Sequence, residues 1–312
     1  MKIRKLLAAL TAILLLLICI TACQSQKAEP TSNEASDDNS GIFRFEDYES
    51  DDVFDIEKVD LSPELAQKCT SYRFTYMSDG LKIKAYISIP TSVFNSQKPV
   101  KCILYNHGGN RDYGKLEDKT TASLCAVIGN RIVVASQYRG VGESQGYDQF
   151  GGDDLNDVIK LIDLCEDHFS FIDMEGFCCA GASRGGMMTY MAARQDSRIK
   201  RIIAMSAVSD LFQSYESRDD MKTVLLETIG SSPEEDPEAY EKRSAICWAD
   251  EIRVPVLIIH SKLDERVSYS QAEALYEKLK DSTDCTFISH DDDVHGSHQE
   301  DFVTIREWLD QD

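Results

Sequence analysis

Positive charge is scarce in this sequence. It has 33 Lys and Arg against 54 Asp and Glu, and the formal net charge is −21 over 312 residues. So acidic a surface cannot neutralise phosphates and release their counterions, which excludes nucleic acid as a partner. The acidity reads instead as solubility outside a cell. Cysteine is not rare, but no two of the ten stand in a C-x-x-C pair, so that zinc signature is absent. There is no internal repeat. The longest apolar run, Leu6 to Ile20, is too short and wrongly flanked for an ordinary transmembrane helix.

That run has another reading. Lys2, Arg4 and Lys5 precede it, and Ile20-Thr21-Ala22-Cys23 closes it. The pattern resembles a bacterial lipobox, which implies a lipoprotein signal peptide at 1–22, cleavage before Cys23 and acylation of the Cys23 thiol. Cys19 is a weaker candidate because bulky Leu17 and Ile18 precede it. An ordinary signal peptide or an uncleaved anchor is the alternative. The expected location is extracytoplasmic, with a lipid anchor in the bacterial cell membrane or outer membrane. Residues 23–60 are rich in Ser, Asp, Glu and Asn and read as an acidic flexible linker. Phe43, Phe45, Tyr48 and Phe54 interrupt it, which lets its second half dock on the domain C-terminal to it.

Residues 61–312 carry that expected domain, and at 42% hydrophobic composition the chain can bury a sizeable core. Alternating Tyr72, Phe74 and Tyr76, a turn at Asp79-Gly80, then Leu81, Ile83, Ala85 and Ile87 predict an antiparallel hairpin. Strands are predicted after it at 100–105, 131–136, 177–180, 201–206, 254–260 and 285–289. Helices are predicted at 116–128, 153–168, 187–193, 221–229, 237–250, 269–280 and 302–309. Such alternation implies a mostly parallel, doubly wound sheet covered on both faces. The stretch 208–253 reads as a short cap-like insertion, or as helices that merely cover the sheet. The eight cysteines beyond Cys23 read mainly as core residues.

Chemistry concentrates at Gly181-Ala182-Ser183-Arg184-Gly185-Gly186, between a predicted strand and a predicted helix. A serine there, with glycines two residues to either side, has the form of the nucleophile elbow of an α/β-hydrolase. A serine hydroxyl needs a base to take its proton, and the base needs an orienting carboxylate. In chain order the acid should follow a downstream strand, and Asp264 does, with Glu265 as its neighbour and competitor. The base is expected in the loop before the last helix, where His295 is favoured over His290 and His298. One oxyanion donor is expected at the backbone N–H of Arg184. The second is expected in Asn106-His107-Gly108-Gly109, at Gly109 rather than Gly108, with His107 holding the loop. A second G-x-S-x-G, residues 142–146, follows its strand too late and starts no helix. His290, Asp291, Asp292, Asp293, His295 and His298 read as an acidic loop around one catalytic histidine rather than a metal site, and the chemistry calls for no cofactor.

The run from Tyr72 to Leu309 resembles the catalytic domain of prolyl-oligopeptidase-type serine peptidases. The resemblance rests on NHGG at 106–109, QYRGVGESQG at 137–146, GGDDLNDV at 151–158, GASRGG at 181–186, VPVLIIHSKLDERV at 254–267 and VHG at 294–296. It implies Ser183, Asp264 and His295 as a triad that cleaves short peptides or aminoacyl bonds. The β-propeller of the large peptidases has no counterpart before this domain. Carboxylesterases resembling the same domain also lack one, so small esters are the alternative substrate. A non-catalytic binding lipoprotein on the same scaffold is the rival from another class.

Overall fold

Among the described residues nine strands, most of them apolar runs of the sequence, form a single sheet. The computed structural model describes residues 44–95 and 98–311. The expected signal peptide, Cys23 and the first half of the expected linker lie outside the described residues. In chain order the strands are β1 (Val53–Lys58), β2 (Cys69–Ser78), β3 (Leu81–Pro90), β4 (Val100–Asn106), β5 (Ile132–Ser136), β6 (Ile172–Ala182), β7 (Arg201–Met205), β8 (Val256–Ser261) and β9 (Cys285–His290). The helices are α1 (Pro63–Ala66), α2 (Thr120–Val127), α3 (Asp154–Asp167), α4 (Arg184–Gln195), α5 (Leu211–Ser217), α6 (Asp219–Ile229), α7 (Pro237–Glu241), α8 (Tyr269–Leu279) and α9 (Asp301–Leu309).

The strands lie in the order β1-β2-β3-β5-β4-β6-β7-β8-β9. The first three are antiparallel, and β3 is antiparallel to β5. From β5 onward every neighbouring pair is parallel. Asp79 and Gly80 both have positive φ, 49° and 76°, which gives the two-residue hairpin turn its right-handed twist.

Strand alternation splits the core into two layers. Cys102, Leu104, Cys179, Ile202 and Ile258 face one layer, with Val158 and Ile162 of α3 and Met187 and Met188 of α4. Ile103, Cys178, Ala180, Ile203 and Leu257 face the other, with Ala122 of α2 and Ile305 and Trp308 of α9. This is the doubly wound arrangement expected from the sequence. The cysteines from Cys69 onward are free thiols, and all but Cys247 and Cys285 are buried.

Several boundaries differ from expectation. Residues 45–58, within the expected linker, dock on the domain as their aromatic residues suggested, and form part of the folded unit. Val53 pairs with Tyr76, and Phe45 is fully buried with its ring 5.2 Å from Phe169 and 5.3 Å from Tyr72. Burying one phenylalanine contributes about 2–3 kcal/mol, enough to order an otherwise polar segment. The helix expected over 237–250 ends at Glu241, because Ser244 Oγ donates to the Tyr240 carbonyl and accepts from Leu211 N. Helix α5 was not expected; Asp210 caps it by accepting from Gln213 N at 3.0 Å.

Candidate active site

Register brings the chemistry-bearing loops to one edge of the sheet. Asn106, the last residue of β4, is paired with Gly181 of β6, Ala182 with Met205 of β7, and Met205 with Ile259 of β8. The glycine loop, the serine turn and the post-β8 loop therefore emerge side by side at the carboxyl ends of parallel strands, where α/β sheets bind ligands.

Ser183 sits between β6 and α4 with φ 56° and ψ −124°. A non-glycine residue held there costs about 1–3 kcal/mol, and close packing around it enforces the turn. A Cβ on Gly181 would lie 2.2 Å from the Gly185 carbonyl oxygen, and one on Gly185 would lie 1.9 Å from that of Asn106. Both glycines are thus required by the approach of strand, helix and neighbouring loop. The first turn of α4 leaves N–H groups without intrahelical partners beside the serine.

Of the three candidate histidines, His295 meets the candidate acid: its Nδ1 lies 2.8 Å from Asp264 Oδ2. The other oxygen, Oδ1, accepts from Arg266 N at 2.8 Å and Val267 N at 3.1 Å. Burial raises the proton affinity of Asp264, yet the hydrogen bonds from His260, His295 and the two N–H groups outweigh it and hold the carboxyl well below its usual range. Glu265 is exposed. His290 and His298 face Asp301 and Asp292 instead. Ser183 and His295 line one cavity of about 640 Å³.

Gly108, Gly109 and Arg184 line the same cavity. Gly109 has φ +82°, and a Cβ there would fall 1.9 Å from the Tyr113 carbonyl oxygen, so no other residue fits the loop. His107 is buried and stacked on Tyr138 at 4.3 Å, with Nδ1 2.9 Å from Gly108 O and Nε2 3.3 Å from Gln137 O. Its place is that of a loop-fixing residue. The second G-x-S-x-G is a turn: Ser144 Oγ accepts from Lys84 N and fastens the loop to β3.

Sequence reasoning used only the backbone of Arg184, but its side chain is also part of the site. The guanidinium is 1% exposed, donates to Asp148 Oδ2 at 2.8 Å and to Asp154 Oδ2, and lies over the rings of Phe150 and Tyr138. Asp154 lies in the GGDDLNDV stretch, which therefore held the signal for this ion pair, although nothing in the sequence marked Arg184 as its partner. The region 208–253 supplies the apolar wall of the cavity through Val208, Leu211, Met221 and Val224.

A sheet of this order, carrying a serine on a strained strand–helix turn and, in the same cavity, a later histidine backed by an aspartate, defines an α/β-hydrolase, and the protein is a serine hydrolase. Residues 122–309, more than half of the chain, match the model of the prolyl oligopeptidase family. The chain belongs to that family of serine peptidases. A Bacillus subtilis (strain 168) protein described as uncharacterized peptidase YtmA is 28% identical over 219 residues, covering 70% of this chain and 82% of that one. The acylaminoacyl peptidase of Pyrococcus horikoshii superposes with a TM-score of 0.66 at 22% identity, covering 78% of this chain. This chain spans only 41% of that enzyme's length. Acetyl xylan esterase 1 from Thermoanaerobacterium sp. JW/SL YS485 superposes with a TM-score of 0.60 at 16% identity, covering 82% of this chain and 88% of that one.

Proposed function

We propose that this peptidase-family protein hydrolyses peptide or aminoacyl bonds of short substrates through an acyl-enzyme on Ser183. The observation that carries the reading is the 2.8 Å contact of Asp264 with Nδ1 of His295, which lines the same cavity as Ser183. Ser183 Oγ attacks the acyl carbonyl carbon while His295 Nε2 takes its proton. Asp264 accepts from Nδ1–H, fixing the tautomer that leaves Nε2 free to act as base. The oxyanion is met by the N–H groups of Arg184 and Gly109. His295 then protonates the leaving amine as the tetrahedral carbon collapses, and water releases the acyl group by the same steps. No cofactor enters this reaction.

A fluorophosphonate probe is expected to label the protein on Ser183 and to leave Ser183→Ala unlabelled; undiminished labelling of that variant would sink the reading. Substrate class is read from the purified protein with aminoacyl and dipeptidyl anilides beside short-chain nitrophenyl esters. Turnover of esters alone would replace the peptidase reading with a carboxylesterase.

The proposal extends to location. Supported by the basic, apolar and Thr-Ala-Cys succession at the start of the sequence, the enzyme is tethered outside the cytoplasm through a lipid on Cys23. Metabolic labelling with a radioactive fatty acid should be lost in Cys23→Ala; retained labelling would refute the anchor.

A further inference from the structure

We propose that His290, His298 and Asp301 form a binding site for a divalent transition-metal ion, zinc by the chemistry of the ligands, that clamps the loop carrying His295. Three facts of geometry point there. One nitrogen of each histidine and a carboxylate oxygen of Asp301 all lie within 4.8 Å of one another. His290 Nε2 is 2.9 Å from Asp301 Oδ1, and His298 Nδ1 is 3.5 Å from Asp301 Oδ2. That His298 Nδ1 is buried and has no hydrogen-bond partner among the described residues.

That nitrogen faces the Asp301 carboxylate at 3.5 Å without a hydrogen bond, and the other side of the ring bears on its role. His298 Nε2 lies 2.7 Å from Asp292 Oδ2, and in the tautomer with its proton on Nε2 the Nδ1 lone pair faces His290 and Asp301. A carboxylate on the outer nitrogen of an inward-facing histidine is the arrangement that orients zinc ligands and raises their basicity. A tetrahedral shell with bonds of about 2.1 Å places neighbouring ligand atoms about 3.4 Å apart. The contacts at 2.9 and 3.5 Å run to the two different oxygens of Asp301, so its carboxylate would turn to give one of them to the ion. Binding displaces the Nε2 proton of His290 to solvent, and the metal takes the lone pair in its place. Two imidazoles and one carboxylate suit zinc and its first-row neighbours rather than calcium or magnesium. The charges of Asp301 and Asp292 together balance a divalent ion.

The cluster noted in the sequence held His290 and His298 but not Asp301. Asp291 is drawn off to Lys262 at 2.6 Å, and His295 turns to Asp264. Asp301, which lies beyond the acidic run, joins instead because the start of α9 brings it under His290. The site spans both ends of the 291–300 loop, so an ion there would restrain the segment that presents His295. That consequence for hydrolysis rests on the function proposed above, whereas the site itself does not.

The test uses the full chain in detergent, stripped with a chelator and titrated calorimetrically with zinc chloride. One ion per chain should bind with a dissociation constant in the micromolar range or tighter, and Ser183→Ala should bind as the wild type does. His290→Gln and His298→Ala are expected to bind at least about 100-fold more weakly, and Asp292→Asn about 10–100-fold more weakly. Cobalt substituted for zinc should show visible absorption with the intensity of a tetrahedral centre, and zinc should slow amide exchange across residues 291–300. Binding no tighter than millimolar, or zinc affinity unchanged in the folded His290→Gln protein, would overturn the proposal. Loss of hydrolysis in Ser183→Ala with zinc binding intact separates this result from the hydrolase reading.

Discussion

The guanidinium of Arg184 donates to the carbonyl oxygen of Gly109 at 3.3 Å, and so ties the residue after Ser183 to the glycine loop that follows β4. Those two residues carry the backbone N–H groups proposed to hold the oxyanion. One buried side chain therefore links both donors and is itself held between Asp148 and Asp154. Burial works against Asp148 ionising, yet the Arg184 charge keeps that carboxyl below its usual range. That geometry predicts a positioning role for the Arg184 side chain, separate from its backbone N–H.

Replacing Arg184 separates the two roles. Arg184→Met keeps the backbone N–H but strands two buried carboxylates, and should cost about 3–5 kcal/mol of unfolding free energy in urea. Arg184→Lys keeps the charge but not the fork that reaches Gly109 and both acids. It should lower kcat about tenfold or more with little change in KM, because the donors act on the transition state. An unchanged kcat in a folded Arg184→Lys enzyme would remove the side chain from the site.

Asp264→Asn preserves shape while removing the charge opposite His295 Nδ1. The amide must still accept from the N–H groups of Arg266 and Val267, so it presents its NH₂ to the imidazole and favours the wrong tautomer. The expected loss in kcat is about 10³–10⁴-fold at neutral pH, with KM nearly unchanged. Steady-state kinetics on the best substrate of the panel checks this, and a loss below tenfold would speak against the pair.

Much of the fold could be read in the sequence because its signals are local. The β2–β3 hairpin has both alternation and a D-G turn, and the parallel strands are continuous apolar runs. The elbow could be read because its serine and glycines stand together in one strand–turn–helix stretch, although Gly185 is fixed by the approach of Asn106 from the neighbouring loop. What could not be read depends on distant partners. In β1 only Val53 is buried, while Asp55, Glu57 and Lys58 are exposed, so the strand looks like more linker until β2 is laid beside it. Helix α5 is seven residues of LFQSYES, too short and polar to announce itself without its Asp210 cap. His295 could be favoured over His290 and His298 from its place in the loop before the last helix, but the carboxylates that the other two meet, Asp301 and Asp292, could not be read.

Gly109→Ala probes the loop donor directly. The added Cβ would meet the Tyr113 carbonyl oxygen at 1.9 Å, so the loop backbone must move and its N–H with it. Removing one oxyanion donor is expected to reduce kcat about 10²–10³-fold. Gly230→Ala is the control: its φ of +93° makes alanine equally strained, but nothing lies within 4 Å of the new Cβ. It should lose about 1–2 kcal/mol of stability and keep full activity. Equal activity losses in the two variants would mean that strain rather than the donor is responsible.

His107 should make stability depend on pH in a window of its own. Burial, reinforced by the positive charge of Arg184, pushes its pKa down from 6.5 to about 4. As pH falls below 6.5 the unfolded chain takes up a proton that the folded chain refuses, so stability is full above that value and drains between 6.5 and about 4. The slope is about 1.4 kcal/mol per pH unit, or about 3 kcal/mol across the window. Asp264 contributes in the same direction but lower: its folded carboxyl is depressed, so its stabilisation is present above 3.8 and lost only as pH falls past that point. Urea unfolding at pH 7, 5.5 and 4.5 should therefore show a decline in the wild type that is markedly shallower in His107→Asn. Identical slopes in the two proteins would mean that the loop histidine is already protonated in the folded state, and that the stacked, neutral imidazole holding Gly108 is wrong.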